Sequence, residues 1–146
     1  MTRLYPSRPI LAASVAVVRA GRVLLASRVA PPGAGLFALP GGAVETGETM
    51  AAAALRELLE ETGVCATIVA FNAHNEVIET DLQGVRLHYV IASFVAEWLA
   101  GEATPGPEAA EVRWVLRADI GSLPLVAGLE QILHKAFDIA ERGRCG

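Results

Sequence analysis

The stretch from Pro40 to Val64, PGGAVETGETMAAAALRELLEETGV, constrains the fold of this chain more than any other. It carries Glu57, Glu60 and Glu61 at relative positions i, i+3 and i+4. At 3.6 residues per turn these carboxylates share one helical face, and Ala51, Leu55, Leu58 and Leu59 are expected on the opposite one. The segment has helix ends as well. Thr49 or a neighbour can cap the start, and Gly63 supplies the left-handed residue that commonly follows a helix. Ahead of it, Gly41 and Gly42 allow the backbone to turn sharply and to approach a ligand closely.

Like charges on adjacent turns cost a few tenths of a kcal/mol even on an exposed helix, so the stripe calls for a counter-ion. The competing reading is a solvated acidic face. The wider spacing argues against it: Gly42, five residues, Glu48, seven residues, then Arg56-Glu57-Leu58, any residue, Glu60-Glu61, any residue, Gly63-Val64. Such a set of fixed identities arises by chance in about one chain in a million of this length. Clustered carboxylates are hard oxygen donors, suited to Mg²⁺ or Mn²⁺ rather than zinc. His74, His88 and His134 have no metal-ligand spacing with one another.

At these residues the chain resembles the Nudix (MutT-like) hydrolase family, whose signature box it matches without a gap from Gly42 to Val64. The resemblance extends more loosely to the preceding hairpin, to Leu39-Pro40-Gly41-Gly42 and to the strand Val112–Val115. It implies an α/β fold, an α/β/α sandwich with a central mixed β-sheet, and Mg²⁺-dependent attack of water on phosphorus in a pyrophosphate link, with Mn²⁺ as the alternative ion. It makes Glu60 and Glu61 metal ligands together with the carbonyl of Gly41, and Glu57 either a further ligand or the general base. In some family members a glutamate from a later loop is the base, and Glu108 and Glu111 are the candidates here. Arg56 is a structural partner of a box glutamate or a phosphate ligand, and Glu48 braces the turn or reaches metal through water.

For the substrate, the resemblance places Arg28 like phosphate-binding arginines of some relatives, against the plain alternative of a strand-end charge. Phe37 is a stacking platform for a base or a core residue, and Gly42 and Gly63 are conformational. The markers of family subgroups are missing, since no proline lies between Gly63 and Pro105 and the one tyrosine in that window is Tyr89. The expected substrate is therefore a nucleoside diphosphate linked to another group. The alternative is a non-catalytic domain of the same fold that binds a nucleotide metabolite. Many relatives are homodimers, so self-association is expected.

Residues 1–146 suit one domain. A hydrophobic fraction of 53% argues for a sheet covered on both faces. The net charge of −4, with Lys135 the only lysine, speaks against a nucleic-acid polymer as partner, because phosphate backbones are held by clustered Lys and Arg. Cys65 and Cys145 are too few for a disulfide framework, and Cys65 is expected to be buried. Arg3 and Arg8 ahead of Ile10–Val18 imitate a signal peptide, but this run is needed as a strand, and a cytoplasmic location is expected. No apolar run approaches the roughly 20 residues of a membrane helix.

In chain order, residues 9–18 and Arg22–Arg28 read as a hairpin turning at Ala20-Gly21. Val29–Gly35 reads as a Pro/Gly loop. Val64–Ile78 and Val85–Trp98 read as antiparallel strands joined by a loop from Thr80 to Gly84. Residues 99–110 read as a second loop, Glu111–Leu116 as a short strand, and the apolar spacing of Leu129, Ile132, Leu133, Ala136 and Ala140 as a closing helix.

Overall fold

The apolar, β-branched run Ile10–Arg19 becomes strand β1, which pairs along both of its edges in this computed structural model. The structure describes residues 3–29 and 34–144, so Cys145 and part of the Pro/Gly loop lie outside the described residues. The strands that follow are β2 (Arg22–Arg28), β3 (Phe37–Ala38), β4 (Gly41–Ala43), β5 (Cys65–Asp81), β6 (Gly84–Ala100) and β7 (Ala109–Leu116). Helix α1 (Met50–Thr62) lies between β4 and β5, and a 3₁₀ turn (Arg117–Ser122) leads towards helix α2 (Leu129–Arg144).

The sheet runs β3-β2-β1-β6-β5, with β4 added beside β1 and β7 beside β2. The β1–β6 pair is parallel and the other pairs are antiparallel, so the sheet is mixed. Successive side chains of β1 point to opposite faces. Ala13, Val15 and Val17 pack with α1, whereas Ala16 and Val18 pack with α2. One helix on each face makes the α/β/α sandwich that the family resemblance implies. The long β5–β6 hairpin closes more tightly than its sequence suggests, because pairing persists to Asp81 and Gly84.

Two burial expectations are corrected. On α1 the buried stripe is Ala53, Ala54, Leu58 and Thr62, and Leu59 is 52% exposed. Leu55 and Ala51 pack at the margin of that core. The helix lies over Ala13, Ala92 and Ala96 of the sheet, and small side chains on both sides let Ala53 and Ala54 face inward beside Leu58 while Leu59 turns out. Cys65 is exposed, because it begins β5, the edge strand.

Candidate active site

The two glycines of β4 work in different directions. Gly41 lies opposite Ser14 of β1, and a β-carbon there would run into the Ala13 carbonyl and the Ser14 backbone. A β-carbon on Gly42 would come within 2.5 Å of the Glu57 carboxyl carbon. Only a bare backbone fits between the central strand and the acidic face of α1. The helix is set in place by its ends: the Thr49 hydroxyl accepts from the Ala52 amide at 3.1 Å, and Gly63 ends it at φ 75°.

Glu61 reaches back to this glycine strand, its carboxylate accepting from the Gly41 amide at 3.0 Å. Burial pushes the Glu61 carboxyl up to about 7, with the Gly41 hydrogen bond opposing and the charges of Glu57 and Glu108 adding to the rise. Arg28, exposed at the end of β2, acts on Glu61 in the opposite sense. Burial also raises the Glu57 carboxyl, against the pull of Arg56 and with repulsion from Glu60 and Glu108. Glu60 stands farther out, with 58% of its side chain exposed.

Arg56 closes the other end of the cluster. Its Nε and Nη2 donate to the two oxygens of Glu48 at 2.8 and 3.0 Å, its Nη1 to Glu57 at 3.0 Å, and its Nη2 also to the Ala43 carbonyl at 3.2 Å. Glu60 lies 3.4 Å from the same guanidinium. The fork on Glu48 is bidentate, the geometry that suits guanidinium to carboxylate. It holds the Glu48 carboxyl below the usual range, helped by the Glu45 amide at 3.1 Å. Arg56 thus ties the turn, the helix and β4 together.

The loop between β6 and β7 completes the cluster. Its Thr104 amide donates to the Thr62 carbonyl at 2.9 Å and its Gly106 amide to the Glu61 carbonyl at 2.7 Å. The loop runs on to Glu108, whose charge acts on both Glu57 and Glu61. Glu111 parts from it. Val112 and Trp114 pack on the α1 side, so Glu111 and Arg113 take the other face, where they form an ion pair at 3.1 Å.

Phe37 is only 4% exposed and belongs to the core on the α2 side, under the Arg113 guanidinium at 4.9 Å. The stacking expectation is therefore corrected in favour of the core one. His134 accepts from Arg117 at 3.1 Å, away on α2. What the sequence reading missed is the docking of residues 104–106 on α1; Pro105-Gly106-Pro107 was its only trace.

Among the described residues no three Asp, Glu, His or Cys side chains already close on one point. Arg56 engages Glu57, and the Gly41 amide engages Glu61. The donors nevertheless fit a hard divalent cation in kind: Glu57, Glu60 and Glu61 carry carboxylate oxygens, and a cation would relieve the repulsion that raises the Glu57 and Glu61 carboxyls.

An acid cluster braced by arginine against a glycine strand, on an α/β/α sandwich, defines a Nudix domain, and comparisons with known proteins agree. A NUDIX domain model matches residues 8–136. An ADP-ribose pyrophosphatase of Methanocaldococcus jannaschii is 33% identical over 125 residues, which are 86% of this chain and 70% of that protein. A putative 8-oxo-dGTP diphosphatase 3 of Mycobacterium tuberculosis is 37% identical over 98 residues, 64% of this chain but only 43% of the relative's length. The crystal structure of a MutT NUDIX hydrolase from Burkholderia pseudomallei superposes with a TM-score of 0.75 at 28% identity, covering 88% of this chain and 98% of that one. The chain belongs to the Nudix hydrolase family, enzymes that act on pyrophosphate bonds.

Proposed function

We propose that this protein is a Mg²⁺-dependent pyrophosphohydrolase, able to use Mn²⁺, that splits a nucleoside diphosphate linked to another group by attack of water on phosphorus. The observation that carries this reading is the Glu61 carboxylate, drawn in against the Gly41 amide with like charges close by. Glu57, Glu60 and Glu61 hold the ion, with the carbonyl of Gly41 as a fourth donor. When bound, the ion supplies Lewis-acid polarisation of the phosphate and of water.

The remaining residues position and move protons. Arg56 orients Glu57 while keeping Glu48 in place, which supports a structural role over phosphate binding. Gly42 leaves the room that Glu57 fills. Arg28, whose charge acts on Glu61, binds a substrate phosphate. Glu108 is the general base, taking the proton of the attacking water; its charge reaches the cluster, whereas Glu57 is engaged by Arg56 and Glu111 by Arg113.

The relative named for ADP-ribose makes ADP-ribose the first substrate to try, and the one named for 8-oxo-dGTP supplies its competitor. We place the enzyme in the cytoplasm with these small molecules rather than with nucleic-acid polymers; no helix among the described residues is long and apolar enough to cross a membrane. A homodimer is supported by the exposed apolar side chains Val69, Phe71 and Ile78 on edge strand β5, and light scattering tests it. The decisive assay is product release from ADP-ribose, 8-oxo-dGTP, nucleotide sugars and dinucleoside polyphosphates with and without Mg²⁺ or Mn²⁺. Metal-dependent cleavage of a nucleoside diphosphate derivative is expected, and no turnover on any of them sinks the proposal.

A further inference from the structure

The last carbonyls of a helix have no partners within the helix. In α1 two of them are taken by the β6–β7 loop, through the Thr104 and Gly106 amides. The approach is close enough that a β-carbon on Gly106 would lie 2.7 Å from the Glu60 carbonyl oxygen and 3.0 Å from that of Glu61. Both are backbone atoms of a helix and cannot swing aside. The near end of the loop is fixed as well: the Trp98 indole donates to the Gly101 carbonyl at 2.8 Å, and Arg19, 3.7 Å above the Trp98 ring, pairs with Glu102 at 3.3 Å. Pro105 and Pro107 stiffen the backbone on either side of Gly106. One residue beyond Pro107 stands Glu108.

We infer that Gly106 is a positioning residue, whose contact with the Glu61 carbonyl bolts the loop to the last turn of α1 and so presents Glu108 to the acid cluster at a fixed reach. The inference rests on the hydrolase reading of this site. The helix segment that carries Glu60 and Glu61 and the loop that carries Glu108 then move as one body. A rigid mount of this kind matters because a displacement of about 1 Å in a reacting group can cost on the order of 100-fold in rate.

The test uses the full chain, Mg²⁺ and the fastest substrate from the panel above. Gly106→Ala is expected to lower kcat by about 10-fold or more and to move KM by less than about 3-fold, since the loop lifts while the cluster on α1 stays. In the Gly106→Ala/Glu108→Gln double variant the losses should not multiply, because both changes act through one carboxylate. Glu108→Asp, which leaves Gly106 intact and shortens the side chain by one methylene, should lose nearly as much as Glu108→Gln, about 100-fold, because a bolted loop cannot follow. Amide hydrogen exchange should show Thr104 and Gly106 protected in the wild type, and Thr104 released in Gly106→Ala.

A kcat within about 2-fold of wild type in Gly106→Ala, near-normal activity in Glu108→Asp or Glu108→Gln, or multiplying losses in the double variant would overturn the inference. So would fast exchange at Thr104 and Gly106 in the wild type. A wild type that cleaves nothing sinks the hydrolase reading instead, and the exchange measurement still decides whether the loop is bolted.

Discussion

The two ends of the acid cluster, the turn before α1 and its last turn, are built from the same residue type and behave in opposite ways. At one end Glu48 is gripped by Arg56 and its carboxyl is held low; at the other Glu61 accepts from a backbone amide, and its carboxyl is pushed up to about 7. A carboxylate with its counter-ion supplied is a brace. One drawn into the protein without a counter-ion costs stability when ionised, and is left to attract a cation from outside. Glu57 stands between them, paired with Arg56 yet raised by burial.

The contrast breaks most sharply at Glu61. Glu61→Gln and Glu60→Gln are each expected to lower kcat by about 1000-fold with circular dichroism unchanged; full activity in both would remove the metal assignment. Next comes the braced end. Arg56→Gln leaves Glu48 and the partly buried Glu57 without their partner and should lower the midpoint of urea melts. Arg56→Lys should recover only part of this, because an ammonium lacks the bidentate fork; complete recovery would mean that the geometry on Glu48 is irrelevant.

The pH dependence separates the two ends by sign. The folded-state carboxyl of Glu61 lies above its ordinary 4.5, so its favourable contribution is complete below 4.5 and is lost as pH rises through about 7. Without metal, stability should fall over that window by about 3 kcal/mol at most, and Glu61→Gln should flatten the slope. Mg²⁺ at neutral pH should raise the wild-type Tm more than that of Glu61→Gln; equal shifts would contradict the site. Glu48 has the reverse sign, contributing above 4.5 and losing that contribution as pH drops below it. The smallest effect belongs to the cap: Thr49→Ala should cost about 1 kcal/mol and leave kcat alone.

Periodicity made much of this legible. The apolar, β-branched run of β1, the hairpin turn at Ala20-Gly21 and the spacing of Leu129, Leu133 and Ala136 are one-dimensional signals, and each marks an element that forms. The acid ridge is equally local, since three and four residues along a helix is one turn. Less legible was whatever depends on what lies opposite. Gly41–Ala43 reads as a turn, yet it pairs with β1 as a strand because glycine admits so close an approach. Leu59 looks like core until the alanines of the facing strands let α1 settle on Ala53 and Ala54. Phe37 is oriented by the pairing of β3 with Ser27. The hold of Gly106 on α1 joins backbone to backbone, and the run Pro105-Gly106-Pro107 does not say what it docks against.

The alanine seam between α1 and the sheet, Ala53 and Ala54 over Ala13, Ala92 and Ala96, also acts as a shim. Its thickness sets how high the helix rides, and therefore how far every carboxylate stands from the glycines beneath. Exchanging one of these alanines for valine would change no ligand and no charge, yet it would tilt the whole acidic ridge at once. The height of the acid cluster is set from the side facing away from solvent.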